Sequence, residues 1–486
     1  MFASFVFEKA SAEYTEKIML IDSDNLNGKL CYSEYFAAQG FQVIRYESDL
    51  QFRTEYDEAI FGQGKYAVIV MENAYIPYDI RRRFRIVEVS ISNLFPKLNA
   101  TAIKSYDRMN YDLLCIAYKN NYSDLTGENQ TIKFIENKVF EQSNVAAYLI
   151  KQSCALHQNA KIAQTYSDWC RIANMKATID VLATEYDLQI NTEDINQHFV
   201  AWTLKSFGKL SSTMSRQTPV IVSRAMEYMH DKSSKYVVVV MDGMSQFDWC
   251  ILSSSFGNIV YQKTDVFAMI PTTTSVSRQC LLSNKLPLQL ATPWSQSKEK
   301  SEFTECALDM GYTIDQIGYE RGYNADFGMS IKCGAVIINE IDDTVHSQGQ
   351  GRLGMFNDVS VMAKQAKLKS LVKKLLKKGF DVYITADHGN APCVGMGKLM
   401  KTGVEVETKS RRMVVLKDFA DKESLISNYG MIEYPKYYLN KDNDYLICAT
   451  GTSFDSKGDD VMSHGGITVD EVIVPFITIK AVDNND

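Results

Sequence analysis

A run of apolar residues, Tyr236-Val237-Val238-Val239-Val240-Met241, stops abruptly at Asp242-Gly243-Met244-Ser245. An unbroken β-branched run of this kind reads as a strand buried on both faces, as in parallel sheets. In open α/β sheets ligands bind in the crevice beyond the carboxyl ends of the strands, so Asp242 stands where a metal or phosphate would lie. An Asp-Gly step after a strand also serves as a plain turn, so the argument turns on what the rest of the chain adds. Further along comes Ile270-Pro271-Thr272-Thr273-Thr274-Ser275, a threonine run that offers hydroxyl nucleophiles.

Composition narrows the choice of partner. With 486 residues, 45% hydrophobic and 23% charged, the chain has material for two or three domains with real cores. Its net charge of −7 lacks the overall basic footprint of a duplex-DNA binder. The ten cysteines contain no Cys-x-x-Cys pair and read as reduced thiols of a cytoplasmic protein. The first residues, Met1 to Phe7, are followed by Glu8 and Lys9 and lack a basic leading region, so no secretory signal is expected. No apolar run approaches the roughly 20 residues of a membrane helix, and no membrane partner is expected.

Three parts follow from the change of periodicity. Residues 1–125 alternate strands (Ile18–Ile21, Phe41–Ile44, Tyr66–Met71) with helical patterns and predict a small α/β domain. Acids at its strand ends, Asp22, Asp24 and Glu72-Asn73, fit capping and turn roles better than magnesium binding. The basic stretch Arg81-Arg82-Arg83-Phe84-Arg85 reads as a solvated helix face. Residues 126–230 switch to helical spacing and predict a connecting region, with His157, His198 and His230 at no metal-ligand spacing. Residues 231–486 return to α/β alternation, predicting a mixed or parallel sheet flanked by helices. Strands are expected over Ala335–Ile341, Asp381–Ala386 and Val472–Ile477, and a lysine-studded outer helix over Ala363–Lys378.

The last part gathers acids and histidines at the ends of its strands: Asp242, Asp342, His346, Asp387, His388 and His464. Three carboxylates with three imidazoles form the ligand inventory of a two-cation site of borderline hardness, zinc with manganese as second choice, since magnesium or calcium is served by oxygen alone. Two cations about 4 Å apart clamp the attacking and leaving oxygens of a phosphoryl displacement and lower the pKa of a coordinated hydroxyl. A threonine hydroxyl becomes competent for attack when activated in this way.

The order Asp242, the Thr272-Thr273-Thr274 run, Asp342-x-x-x-His346, Asp387-His388-Gly389 and His464-Gly465-Gly466 resembles the alkaline phosphatase superfamily, and in detail its PglZ branch from BREX-type phage-defence systems. The segment Leu94-Phe95-Pro96-Lys97-Leu98 and the α/β domain around it are similar to the front of such proteins. The resemblance implies one cation held by Asp242, Thr274, Asp387 and His388, and another by Asp342, His346 and His464. It implies Thr274 as nucleophile, from the Pro-Thr-x-Thr pattern, with Thr272 as runner-up, and a phosphothreonine enzyme hydrolysed by water. Arg278, one turn on, would bind a non-bridging phosphate oxygen or else be held by packing.

The branch further implies a phosphodiesterase acting on nucleotide or oligonucleotide substrates, with defence-complex proteins as possible partners. Fewer than seventy residues separate Thr274 from Asp342, which leaves room for a small cap and an open pocket. Two other readings stay open: a phosphomonoesterase or phosphate-moving mutase, which needs several basic groups around a terminal dianion, and a non-catalytic scaffold of a defence complex.

Overall fold

A computed structural model describes residues 1–481 apart from 72–73, 107, 122, 258, 400–409 and 418–421. The Glu72-Asn73 pair singled out in the sequence lies outside the described residues. The chain divides into two compact units, Met1–Tyr148 with Gly257–Gln262, and Leu149–Phe256 with Lys263–Asp486.

The first unit carries a parallel four-stranded sheet in the order Gln42–Arg45, Tyr66–Met71, Lys17–Asp22, Arg85–Glu88. Met19, Ile44, Phe52, Ile60, Val68, Ile80 and Phe84 close its core. Burial of Ile80 and Phe84 turns Arg81, Arg82 and Arg83 outward to solvent, while Arg85 opens a strand rather than continuing a helix. Asp22 spends both carboxylate oxygens on the backbone amides of Leu26 (2.8 Å) and Asn27 (2.7 Å). Asp24 accepts from the Ile91 amide at 2.7 Å and pairs with Lys104. Both acids hold the turns after their strand.

The second unit is built on a mixed six-stranded sheet, ordered Gln262–Phe267, Ile473–Ile479, Asp381–Thr385, Tyr236–Met241, Cys333–Ile338, Ile317–Arg321. The strand Tyr236–Met241 runs parallel to both its neighbours, and Ile473–Ile479 runs antiparallel to Asp381–Thr385. Each of the six residues of Tyr236–Met241 is 0% exposed, as its unbroken apolar run requires. Helices Tyr166–Glu185 and Ile195–Ser206 belong to this unit.

Two expected elements differ in extent. The strand predicted over Ala335–Ile341 ends at Ile338, and a helix, Glu340–Ser347, takes over. Glu340, Asp342 and Asp343 fall in its first turn, where the positive end of the helix dipole favours acids. The helix predicted over Ala363–Lys378 is two, Gly351–Gln365 and Lys367–Lys377, broken at Ala366 with φ +53°. Leu368, Leu371, Val372 and Leu375 bury one side of the second, so its lysines cover an outer face.

Two small sheets complete the unit. In one, Ala391–Gly395 pairs in parallel with Thr452–Ser453 and antiparallel with Asp460–Ser463. The other joins Met413–Lys417, Asn443–Ile447 and Ile432–Glu433. The first matters for chemistry: Ala391 pairs with Ser463, which draws the residues just before Ala391 and just after Ser463 to the same place. None of the described helices is long and apolar enough to cross a membrane.

Candidate active site

The carboxyl ends of two adjacent parallel strands deliver the first group of side chains. Asp242 follows Tyr236–Met241, and Asp387-His388 follows Asp381–Thr385. Gly243 allows the close passage between them, at φ +74°, and its amide donates to Asp387 Oδ1 at 3.2 Å. Thr274 opens the helix Thr274–Ser283, its Oγ1 3.1 Å from His388 Nε2 and 3.5 Å from Asp242 Oδ1. One ligand atom each from Asp242, Asp387 and His388 lie within 4.8 Å of one another, and all three residues are buried.

The second group forms on the next parallel strand. Asp342 and His346 stand one turn apart on the helix after Cys333–Ile338, with Asp342 Oδ2 3.4 Å from His346 Nε2. His464 arrives at the end of Asp460–Ser463, its Nε2 3.4 Å from Asp342 Oδ1 and 3.4 Å from His346 Nε2. The ligand atoms of these three also fall within 4.8 Å of one another. His388 and His464 stack at 4.2 Å between ring centroids, so the two groups are neighbours.

Both histidines are oriented by backbone. His388 Nδ1 lies 3.0 Å from the Gly389 carbonyl and His464 Nδ1 3.0 Å from the Thr272 carbonyl. A carbonyl fixes the proton on Nδ1 and leaves the Nε2 lone pair facing the site, the arrangement of a metal-binding imidazole. Burial pushes His464 down to about 4, so its ring is neutral at pH 7.

The carboxylates show what they need. Asp387 Oδ2 and Asp342 Oδ1 are buried without a hydrogen bond, one in each group. Burial first, and then the charge of Asp242, push the Asp387 carboxyl well above the usual carboxylate range. For Asp342 burial acts upward, but its bond to His346 outweighs that and holds the carboxyl low. Unpaired buried carboxylate oxygens are costly, and a divalent cation in each group would satisfy them. The Asp and His donors fit zinc or manganese.

Arg278 is 0% exposed and lies among the acids. Its Nη1 donates to Asp242, and its Nε to Glu299 at 2.7 Å; Asp387 Oδ2 is 3.8 Å from Nη1. Only Nη2 lacks a partner. Thr272, the other threonine considered in sequence, donates to the Gly466 carbonyl at 2.8 Å and accepts from the Gly465 amide at 3.1 Å, so its hydroxyl is spent on the loop that carries His464.

Several contributors carried no clear signal. Glu299 is 1% exposed and holds Arg278, although it sits in a Lys- and Ser-rich stretch that reads as surface. Asn390 donates to the Gly243 carbonyl at 2.8 Å and to Asp248 at 2.6 Å, tying the two strand ends together. Its adjacency to Asp387-His388-Gly389 was the available hint.

A sheet with two Asp/His groups at the carboxyl edge of its parallel strands is placed for metal-assisted phosphoryl chemistry. The family model described as the BREX system PglZ alkaline phosphatase-like domain matches residues 222–479, just over half of the chain, and the protein belongs to that family of hydrolases. Among solved structures, human ectonucleotide pyrophosphatase/phosphodiesterase 5 is similar with TM-score 0.38 and 15% identity, over 50% of this chain and 87% of that one. The murine protein gives 0.35 and 14%, over 50% and 88%. Phosphonoacetate hydrolase from Sinorhizobium meliloti 1021 gives 0.34 and 11%, over 52% and 92%. No curated protein matches the chain.

Proposed function

We propose that the protein is a two-cation phosphodiesterase in which Thr274 is the nucleophile. Two divalent cations, zinc or manganese, one at Asp242, Thr274, Asp387 and His388 and one at Asp342, His346 and His464, would draw charge from the phosphoryl oxygens and lower the pKa of the hydroxyls they bind. Thr274 Oγ1 attacks phosphorus in line, the ester oxygen departs, and water then cleaves the phosphothreonine from the opposite side. Helix packing holds Thr274 in place throughout. The observation that carries this reading is the Thr274 hydroxyl between His388 and Asp242, in a protein whose alternative, Thr272, has its hydroxyl engaged elsewhere.

Arg278 supports a diester over a monoester substrate. A terminal phosphate dianion calls for several donors, whereas Arg278 has two of its three nitrogens committed to acids and can offer a non-bridging oxygen only Nη2. Within this proposal the functional parts are 1–125, the helical connector 126–230 and the catalytic part 231–486. Nucleotide or oligonucleotide esters are the substrate class, defence-complex proteins are the partners in a phage-defence setting, and cysteine usage supports action in the cytoplasm.

The test is hydrolysis of bis(p-nitrophenyl) phosphate against p-nitrophenyl phosphate, with zinc or manganese, by the wild type, Thr274→Ala and Asp242→Ala. Diester cleavage lost in both variants and under chelator is expected. Monoester preference would favour the phosphatase or mutase reading, and turnover of neither ester despite bound metal would favour a scaffold.

A further inference from the structure

The loops bearing His388 and His464 converge on one residue that is part of neither. Glu471 lies in the short helical turn Val469–Val472. Its backbone carbonyl accepts from the Gly389 amide at 2.9 Å, immediately after His388. Its carboxylate reaches the other loop, Oε1 accepting from the Gly466 amide at 2.8 Å, two residues after His464. Oε2 accepts from the Thr468 amide (3.0 Å) and hydroxyl (2.8 Å), and Arg412 Nη1 lies 2.6 Å from it.

This junction has no slack. Glu471 and Arg412 are both 0% exposed. The preceding carbonyl, of Asp470, approaches so closely that a Cβ at Gly389 would lie 1.9 Å from it. A Cβ at Gly466 would lie 2.8 Å from Glu471 Oε2. Gly389 and Gly466 are therefore the residues that let this turn seat against both loops.

We propose that Glu471 is a positioning residue for the two-cation centre, fixing the spacing of the two ligand groups by holding the His388 loop through its main chain and the His464 loop through its carboxylate. The inference rests on the two-cation reading above. It makes an asymmetric prediction. In Glu471→Gln the main-chain hold on Gly389 survives, but an amide NH2 must face donors that the carboxylate accepted, from Gly466, Thr468 or Arg412. The His464 group should loosen while the His388 group stays. Loss of such outer partners costs about 10–100-fold in metal affinity.

The experiment is calorimetric titration of Mn2+ into chelator-treated full-length wild type, Glu471→Gln and Thr468→Ala, with thermal melts of each and kcat and KM for bis(p-nitrophenyl) phosphate at two metal concentrations. Thr468→Ala removes one bond to Oε2 and leaves the ion pair, so it reads the same effect more weakly should Glu471→Gln fail to fold. The expected result is two sites in the wild type and, in the variants, one unchanged site with the second weakened, by about 10–100-fold in Glu471→Gln. With it kcat should fall at low metal, recover at high metal, and leave KM unaltered. Two wild-type sites that stay unchanged in both variants would overturn the inference and leave the two-cation reading standing. Equal weakening of both sites alongside a lower melting temperature would mark a purely structural role and also overturn it. Fewer than two sites in the wild type would overturn the underlying reading itself.

Discussion

Replacing Arg278 with methionine separates the charge of this residue from its bulk. The guanidinium is fully buried and neutralises Asp242 and Glu299, with Asp387 3.8 Å away. Glu299 keeps other partners, Arg321 at 3.0 Å and the Tyr319 hydroxyl, so the carboxylate left stranded is Asp242. Removing one member of a buried ion pair costs about 3–5 kcal/mol, and methionine fills most of the vacated volume. At about 1.5 °C per kcal/mol for a unit of more than 300 residues, the melting temperature in chelator should fall by roughly 4–7 °C. A cation bound at Asp242 and Asp387 supplies the missing positive charge, so linkage requires the variant to gain more from metal than the wild type does. Scanning calorimetry with EDTA and with saturating Mn2+ should therefore show the gap shrinking by at least about half in metal. A gap that is equal in both conditions would refute the reasoning, because Arg278 would then act through packing alone.

Other outcomes follow from single contacts. Thr272→Val strands the buried Gly465 amide and Gly466 carbonyl and should cost about 1–3 kcal/mol in urea unfolding. Lys176→Met removes a fully buried ammonium from Asp180, Glu193 and Asp470; Arg352 still serves the first two, so Asp470 carries the loss of about 3–5 kcal/mol, and adding Asp470→Asn should recover much of it in a double-mutant cycle. Asp168 caps the helix Tyr166–Glu185; burial acts upward on its carboxyl, but hydrogen bonds from Thr165 outweigh it and bring it down to about 2 from 3.8. A depressed carboxyl contributes stability that is complete above its unfolded value and lost as pH falls through its folded one. Asp168→Asn should then cost about 1 kcal/mol at pH 7, with the difference in urea midpoint from wild type about half gone at pH 3.

Short-range signals carried much of the fold and of the site. The valine run placed the central strand and Asp242 because burial on both faces demands an unbroken apolar segment. Asp387-His388 was legible as a polar pair abutting such a strand, and His464 by its place in the His464-Gly465-Gly466 motif. Asp342 and His346 were legible by their four-residue spacing, but their element was misplaced, since apolar Ile341 continues a strand-like pattern although it belongs to a helix. The break at Ala366 escaped because alanine carries no turn signal. The short strands Ala391–Gly395 and Asp460–Ser463 lack the apolar run that marks the main sheet, yet their pairing brings His388 and His464 together. Illegible too were the long-range pairs: Lys176 meets Asp470 across 294 residues and Arg278 meets Glu299 from a stretch that looks like surface. Partner choice over such distances is settled by packing, which local composition does not encode.

The most direct measurement is anomalous diffraction from crystals of the protein grown with zinc. The account predicts two peaks about 4 Å apart, one about 2.0–2.2 Å from ligand atoms of Asp242, Asp387 and His388, and one at that distance from Asp342, His346 and His464. A single peak, or peaks bound by other residues, would contradict it.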